Sequence, residues 1–291
     1  MKVLAPKYYF DFVCIADKCT HSCCIGWEID IDADTYEKYR NTDIPYLKDT
    51  YSYVSTGDEP HFILTEDERC PHLNECGLCK IILNAGEKYL CDICRQHPRF
   101  YNYTNLGKEI GLGMACEEAC RLILDSDEYD VLIGIDDFDA EIVASDYDAT
   151  VDRAVLFKIL KDDSISFNEK ITRLCNQFAI SVDIVRDRAV MQDLEYLYEA
   201  DKSLLTRPCI IEVDLSLAPK LERILAYFVY RHCSESITLD DFRNSLCFCV
   251  FSTLVIGALS VPSNINDIAR TYSEEIEYCE ENVEKIKSIY M

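Results

Sequence analysis

The feature that most constrains this 291-residue chain is where its cysteines fall: eleven of the seventeen lie before residue 126, most of them in tight groups. The first group is Cys14-x4-Cys19-x3-Cys23-Cys24, the second Cys70-Pro-x4-Cys76-x2-Cys79, and the third Cys91-x2-Cys94, with Cys116 and Cys120 beyond. The segment Met1–Asp11 has neither the apolar core nor the small-residue cleavage site of a secretory leader. The longest apolar stretch, Leu246–Leu259, falls short of the roughly 20 residues that span a bilayer. The expectation is therefore a cytoplasmic chain, not embedded in a membrane, whose thiols stay reduced. There, clustered cysteines mean metal more often than disulfides. Short loops let several thiolates converge on one ion or cluster at small closure entropy.

Charge narrows the class of partner. With 53 acidic against 29 basic residues, the net charge of −24 repels phosphate backbones and argues against nucleic-acid binding. Such a surface serves solubility first, and it also attracts cationic, lysine-bearing partners.

Alternation of Trp27, Ile29 and Ile31 with Glu28 and Asp30 predicts a half-buried strand, and Asp32-Ala33-Asp34-Thr35 predicts a helix start. Residues 41–69 read as a loop, 107–114 as a short strand and 117–124 as a helix. Leu221, Ile224, Leu225, Phe228 and Val229 form one apolar helical stripe. Thr238 with Asp241 signals the cap of a buried helix running through Leu246–Leu259, which Pro262 stops. Ser273–Tyr290 reads as one amphipathic terminal helix. The fold class expected is α+β and predominantly helical, with a cysteine-rich, metal-bound N-terminal part carrying short strands and a helical C-terminal part. The composition changes near residue 125, where an acidic run Asp125–Asp148 begins, giving 1–125 as the cysteine-rich part and 126–291 as the acidic helical part.

Several motifs are absent. The radical loop CxxxCxxC would follow Cys19-x3-Cys23 with a cysteine at position 26, which is Gly26. Gly111-Leu-Gly113 is too little for a dinucleotide-binding turn. Eleven residues between Cys79 and Cys91 leave little room for a zinc-ribbon hairpin, although a compact zinc knuckle fits. A thioredoxin-like role for Cys91-x2-Cys94 lacks the preceding strand.

In order and spacing, Cys14, Cys19, Cys23-Cys24-Ile-Gly-Trp27-x-Ile29-x-Ile31-Asp32, Tyr36, Tyr39, Cys70-Pro-x-Leu73, Gly77-Leu78-Cys79, Gly86-Glu87, Leu90-Cys91, Cys94-Arg95, Pro98-Arg99 and Cys116 resemble the flagellin lysine-N-methylase family. More distantly the segment is similar to small zinc- or iron-chelating proteins with CxxCxxCC segments. The family resemblance implies methyl transfer from S-adenosylmethionine to lysine side chains of flagellin, with a [4Fe–4S] cluster held by cysteines. Cys76 and Cys120 stand where the family pattern needs no cysteine. The nine that remain exceed the four a cubane takes. Cys14, Cys19, Cys23 and Cys94 are the first choice of ligands, with Cys24, Cys79 and Cys91 as further candidates.

Lysine becomes a nucleophile only as the neutral amine, and its reference pKa is about 10.4. A site must desolvate the ammonium or take its proton through a carboxylate, a tyrosine or water. A sulfonium favours aromatic faces and carboxylates, which makes Trp27 a candidate wall for the cofactor as well as a core anchor. Arg95 and Arg99 suit a cofactor carboxylate, or the offsetting of thiolate charge. His97 reads as a packed residue before a base, and His21 as a loop residue before a ligand. With no radical loop, polar transfer is the expected chemistry. The alternative is a non-catalytic interaction module in which the cysteines hold zinc or iron.

Overall fold

The computed structural model describes residues 2–55, 59–104, 107–136, 147–209 and 214–291, so part of the acidic run, 137–146, lies outside the described residues. The chain forms two compact units, Val13–Arg99 and Met1–Phe12 with Phe100–Met291. The compositional step at residue 125 falls inside the second of these.

The smaller unit is built from short pieces. Helix α1 (Ala33–Asn41) starts where the sequence predicts, with the Asp32 carboxylate accepting from the Thr35 N–H at 2.9 Å. Residues 41–69 are not a plain loop. Pro45, preset for a first helical turn, opens α2 (Pro45–Thr50), whose Leu47 is fully buried. Helices α3 (Lys80–Ala85) and α4 (Asp92–Gln96) follow. The strand expected at Trp27–Ile31 does not form. Ile29 and Ile31 are buried as the alternation requires, but the segment meets 60–62 through one isolated bridge, too short for a ladder, and Trp27 is half-buried. Ile29, Ile31, Tyr39, Leu47, Val54, Phe62 and Ile81 make the core, with Cys70 and Cys91 inside it.

The larger unit combines a small sheet with a helical mass, which makes the fold α+β and mostly helical. Strands β1 (Lys2–Pro6), β2 (Arg99–Thr104), β3 (Gly107–Leu112) and β4 (Leu132–Asp136) lie in the order β2-β3-β1-β4. β1 runs parallel to β3, Val3 opposite Lys108, and antiparallel to β4, Pro6 opposite Leu132. The helices are α5 (Glu117–Asp125), α6 (Ala149–Leu160), α7 (Phe167–Phe178), α8 (Ile184–Asp187), α9 (Glu199–Thr206), α10 (Ala218–His232), α11 (Leu239–Leu259), α12 (Ile265–Tyr272) and α13 (Glu280–Ser288).

The five stripe residues of α10 are fully buried. Thr238 caps α11 by accepting from the Asp241 N–H at 3.1 Å. α11 is long and apolar enough to cross a membrane, yet 78% of its most apolar window is buried inside the protein, as befits a central core helix. The terminal helix expected over Ser273–Tyr290 is instead broken. α12 runs into a π-helical turn, Ser273–Glu277, and α13 restarts after Cys279 in extended backbone.

Gly111 and Gly113 also have a packing role rather than a phosphate-binding one. A Cβ on Gly111 would meet the Phe100 ring at 2.3 Å, and one on Gly113 would meet Tyr278 Oη at 1.9 Å.

Candidate thiol centre

Local hydrogen bonds gather cysteines from four segments of the smaller unit. The Cys70 N–H donates to the Cys24 carbonyl at 2.8 Å, and Leu73 bridges Cys79, drawing three segments together. Asp32 brings the fourth. Its Oδ1 caps α1 while its Oδ2 accepts from the Asp92 N–H at 2.8 Å, which fixes Cys91 and Cys94 at the start of α4. Cys24, Cys70, Cys79, Cys91 and Cys94 share one core and interact electrostatically with one another. Because Asp32 serves two helix starts at once, Asp32→Ala is expected to lower the unfolding free energy by about 1–2 kcal/mol, which urea denaturation followed by circular dichroism would read. A loss no larger than that of an exposed surface substitution would show that the tie carries nothing.

Electrostatics within the group is uneven. The Cys23 thiol donates to Cys24 and, against burial, brings Cys24 down to about 7. The Cys94 thiol donates to Cys91, lowering Cys91 and raising itself, with burial adding to the rise. Burial pushes Cys70 up to about 12 and raises Cys79. Unequal acidity within an adjacent pair is the pattern expected of thiols packed close in a poorly solvated core. Even so, among the described residues no three His, Cys, Asp or Glu side chains close to the geometry of a metal site.

Of the first-choice ligands, only Cys94 belongs to this core. Cys14 and Cys23 are exposed, and Cys19 is half-buried with its thiol donating to the His21 carbonyl at 3.2 Å. Cys24, Cys79 and Cys91 are inside, joined by Cys70, one of the nine cysteines of the resemblance but not among the chosen ligands. Cys116 and Cys120 lie in the larger unit. Arg95 is exposed and engaged by Asp92, while Arg99 is half-buried at the start of β2. His97 is neutral, burial having brought it down to about 4, and its Nε2 has no hydrogen-bond partner. His72, likewise down to about 4 by burial, contacts Tyr46 Oη at 2.9 Å through Nδ1 and packs against Phe62 and Tyr53.

The larger unit holds a second polar centre that the sequence reading missed. Glu277, on the π-helical turn, is buried and accepts from Tyr227 Oη at 2.9 Å, from Ser273 Oγ and, when that nitrogen carries a proton, from His232 Nε2 at 2.8 Å. Arg231 Nε lies 3.3 Å away, its guanidinium stacked 4.5 Å over Tyr278 and 5.0 Å over Phe100. Burial works against the carboxylate's charge, but Arg231, His232 and Ser273 together hold its pKa below the usual range. The one hint in sequence was Tyr227 and Arg231 at i, i+4 on a face otherwise apolar.

Comparison with known proteins finds distant relatives for part of the chain. A lysine-N-methylase of Salmonella typhimurium is 26% identical over 133 residues, and one of Salmonella choleraesuis 28% over 140. The chain is similar to lysine-N-methylases. The likeness covers 43% of this chain and 33% of either relative, so the chain spans about a third of the length of these lysine-N-methylases. A flagellar biosynthetic protein, FliU, of Salmonella muenchen is 27% identical over 140 residues, 79% of its length. These relatives match the lysine-N-methylase resemblance carried by the cysteine pattern. No family model and no solved structure matches.

Proposed function

We propose that this chain carries out S-adenosylmethionine-dependent methyl transfer to lysine side chains of flagellin, in the cytoplasm, with an iron–sulfur cluster held by cysteines of the smaller unit. What supports the reading is the likeness to lysine-N-methylases together with the gathering of five of this chain's cysteines in one core. An all-thiol donor set suits iron–sulfur clusters and zinc and suits hard cations poorly. Cys24, Cys79, Cys91 and Cys94 are the proposed ligands, with Cys70 as the fifth sulfur. Cys14, Cys19 and Cys23 would serve a second metal or the entrance to the first. S-adenosylmethionine supplies the methyl group when bound.

The chain's own task is to accept a lysine and free its amine of a proton. The acidic surface draws the ammonium in, and burial against aromatic side chains favours its neutral form. Trp27 is the proposed aromatic wall for the sulfonium. Arg95 and Arg99 are the proposed carboxylate contacts, and Arg95 would exchange Asp92 for the cofactor.

The test is the full chain, purified without oxygen and mixed with S-adenosylmethionine and flagellin. The expected result is a brown protein containing iron and sulfide, and a flagellin mass gain in methyl units located on lysine. A colourless protein with stoichiometric zinc and unmodified flagellin would replace this reading with the interaction module.

A further inference from the structure

Helix α9 and the chain leading into it are strapped to the π-helical turn by polar groups. The Leu197 N–H donates to Glu275 Oε2 at 2.6 Å. Asn282, in α13, ties the same segment a second time. Its Oδ1 accepts from the Glu195 N–H at 2.9 Å, and its Nδ2 donates to the Glu195 carbonyl at 2.7 Å and to the Glu275 carbonyl at 3.1 Å. Leu194 and Leu205 are the buried apolar anchors at the two ends of this strap.

One oxygen in the arrangement has nothing to bond. Glu275 is 2% exposed, and its Oε1 is buried without a hydrogen-bond donor. What meets this side chain is the Asp201 carboxyl of α9, a second acceptor. Two carboxylates in contact cannot both be ionised at low cost, and one proton between them settles the conflict.

Among the described residues no basic group bonds to either one. Arg270 of α12 is bonded to Glu274, and Arg188 to the carbonyls of Leu205 and Arg207. Lys202 of α9 lies over the Tyr196 ring at 5.7 Å, while the Tyr196 hydroxyl donates to the Met191 carbonyl. On the turn itself, Glu274 adds repulsion and Glu277 is engaged by Arg231 and His232. Toward α13, the Cys279 thiol faces Glu281. Burial first, and then Asp201, keep Glu275 protonated up to about 7, although the Leu197 N–H works the other way.

We propose that Glu275 and Asp201 form a proton-operated latch on residues 194–206. Sharing one proton, they hold α9 against the π-helical turn. When that proton leaves to solvent, two negative charges face each other and the strap opens more often. The closed form binds the proton more tightly than the open form does, so closure is favoured on the acid side and is lost as pH rises toward neutral.

The experiment is hydrogen exchange read by mass spectrometry on the full chain at several pH values, with protection corrected for the intrinsic exchange rate. From pH 5.5 to pH 8 the opening constant of 194–206 is expected to rise roughly twentyfold, the change produced when an ordinary Glu is held up to about 7 in the closed form. Glu275→Gln keeps an acceptor for Leu197 and offers Asp201 a donor that does not titrate, and it should remove the rise. Asp201→Asn gives Glu275 a donor in place of a second acceptor, and it should cut the rise severalfold. It decides the matter if the Gln variant fails to fold. A flat profile in the unaltered chain, or a full rise in either folded variant, would overturn the latch.

Discussion

Replacing Glu277 with alanine is expected to cost the larger unit about 3–5 kcal/mol, the range for removing one partner of a buried ion pair. Truncation strands the Arg231 guanidinium under Tyr278 and Phe100 and takes the acceptor from Tyr227, His232 and Ser273 at once. The measurement is a urea midpoint with unchanged slope, and a loss under about 1 kcal/mol would show that the carboxylate is not the keystone of this network.

The pH dependence has a defined sign. Glu277 titrates lower folded than unfolded, so its contribution is present at neutral pH and is lost as pH falls through its folded value. His232 acts in the same direction: burial lowers its folded pKa, so folding excludes a proton that the unfolded imidazole takes up below about 6.5. Glu275, two residues away and 2% exposed, runs the opposite way. Burial first, then Asp201 and Glu274, push it up to about 7. Its stabilisation is complete below its unfolded value and is lost as pH rises through about 7. Glu275→Gln should therefore remove a decline in stability between about pH 4.5 and 7, whereas Glu277→Ala flattens the side below its unfolded value.

On the iron–sulfur reading proposed above, a chelator added to the protein as isolated is expected to have a still larger and more local effect. Hydrogen exchange read by mass spectrometry should show residues 13–99 losing protection under a chelator while α10 and α11 keep theirs. The reason is the size of the smaller core: a few aliphatic and aromatic residues around Cys70 and Cys91, the latter only 1% exposed. Small cores need such staples, and structural zinc is worth about 10–16 kcal/mol in finger peptides. Unchanged exchange across 13–99 would mean that the thiols fold this unit as packed hydrophobes without an ion.

The local signals in the sequence translated well. The Asp32 and Thr238 caps and the α10 stripe depend on neighbours three or four residues away, and periodicity reads those directly. The expected strand at Trp27–Ile31 failed in an instructive manner. Alternation foretells which side chains are buried, Ile29 and Ile31, and not whether a partner runs alongside long enough to make a ladder. The choice among cysteines was not legible for a related reason. The family resemblance put Cys14, Cys19 and Cys23 first, and order along the chain does not foretell which thiols are buried together, because the core is assembled by bonds between distant segments, such as Cys70 to Cys24 and Asp92 to Asp32. Glu277 was hidden because a carboxylate in an amphipathic stretch reads as a solvated face. Its burial follows from the π-helical turn, which shifts the helical phase by one residue.

The placement of β1 has a consequence for biosynthesis. It precedes both of its partners in the chain and yet it sits between β3 and β4, with Val3 opposite Lys108 on one side and Ile135 on the other. Its two neighbours are translated only after the whole cysteine-bearing unit, so a nascent chain leaves Lys2–Pro6 unpaired until β3 and β4 have followed. The cysteine-bearing unit is therefore complete before the sheet can close, and the interval in which that strand is open to chaperones and to mispairing lasts at least as long as the synthesis of that unit.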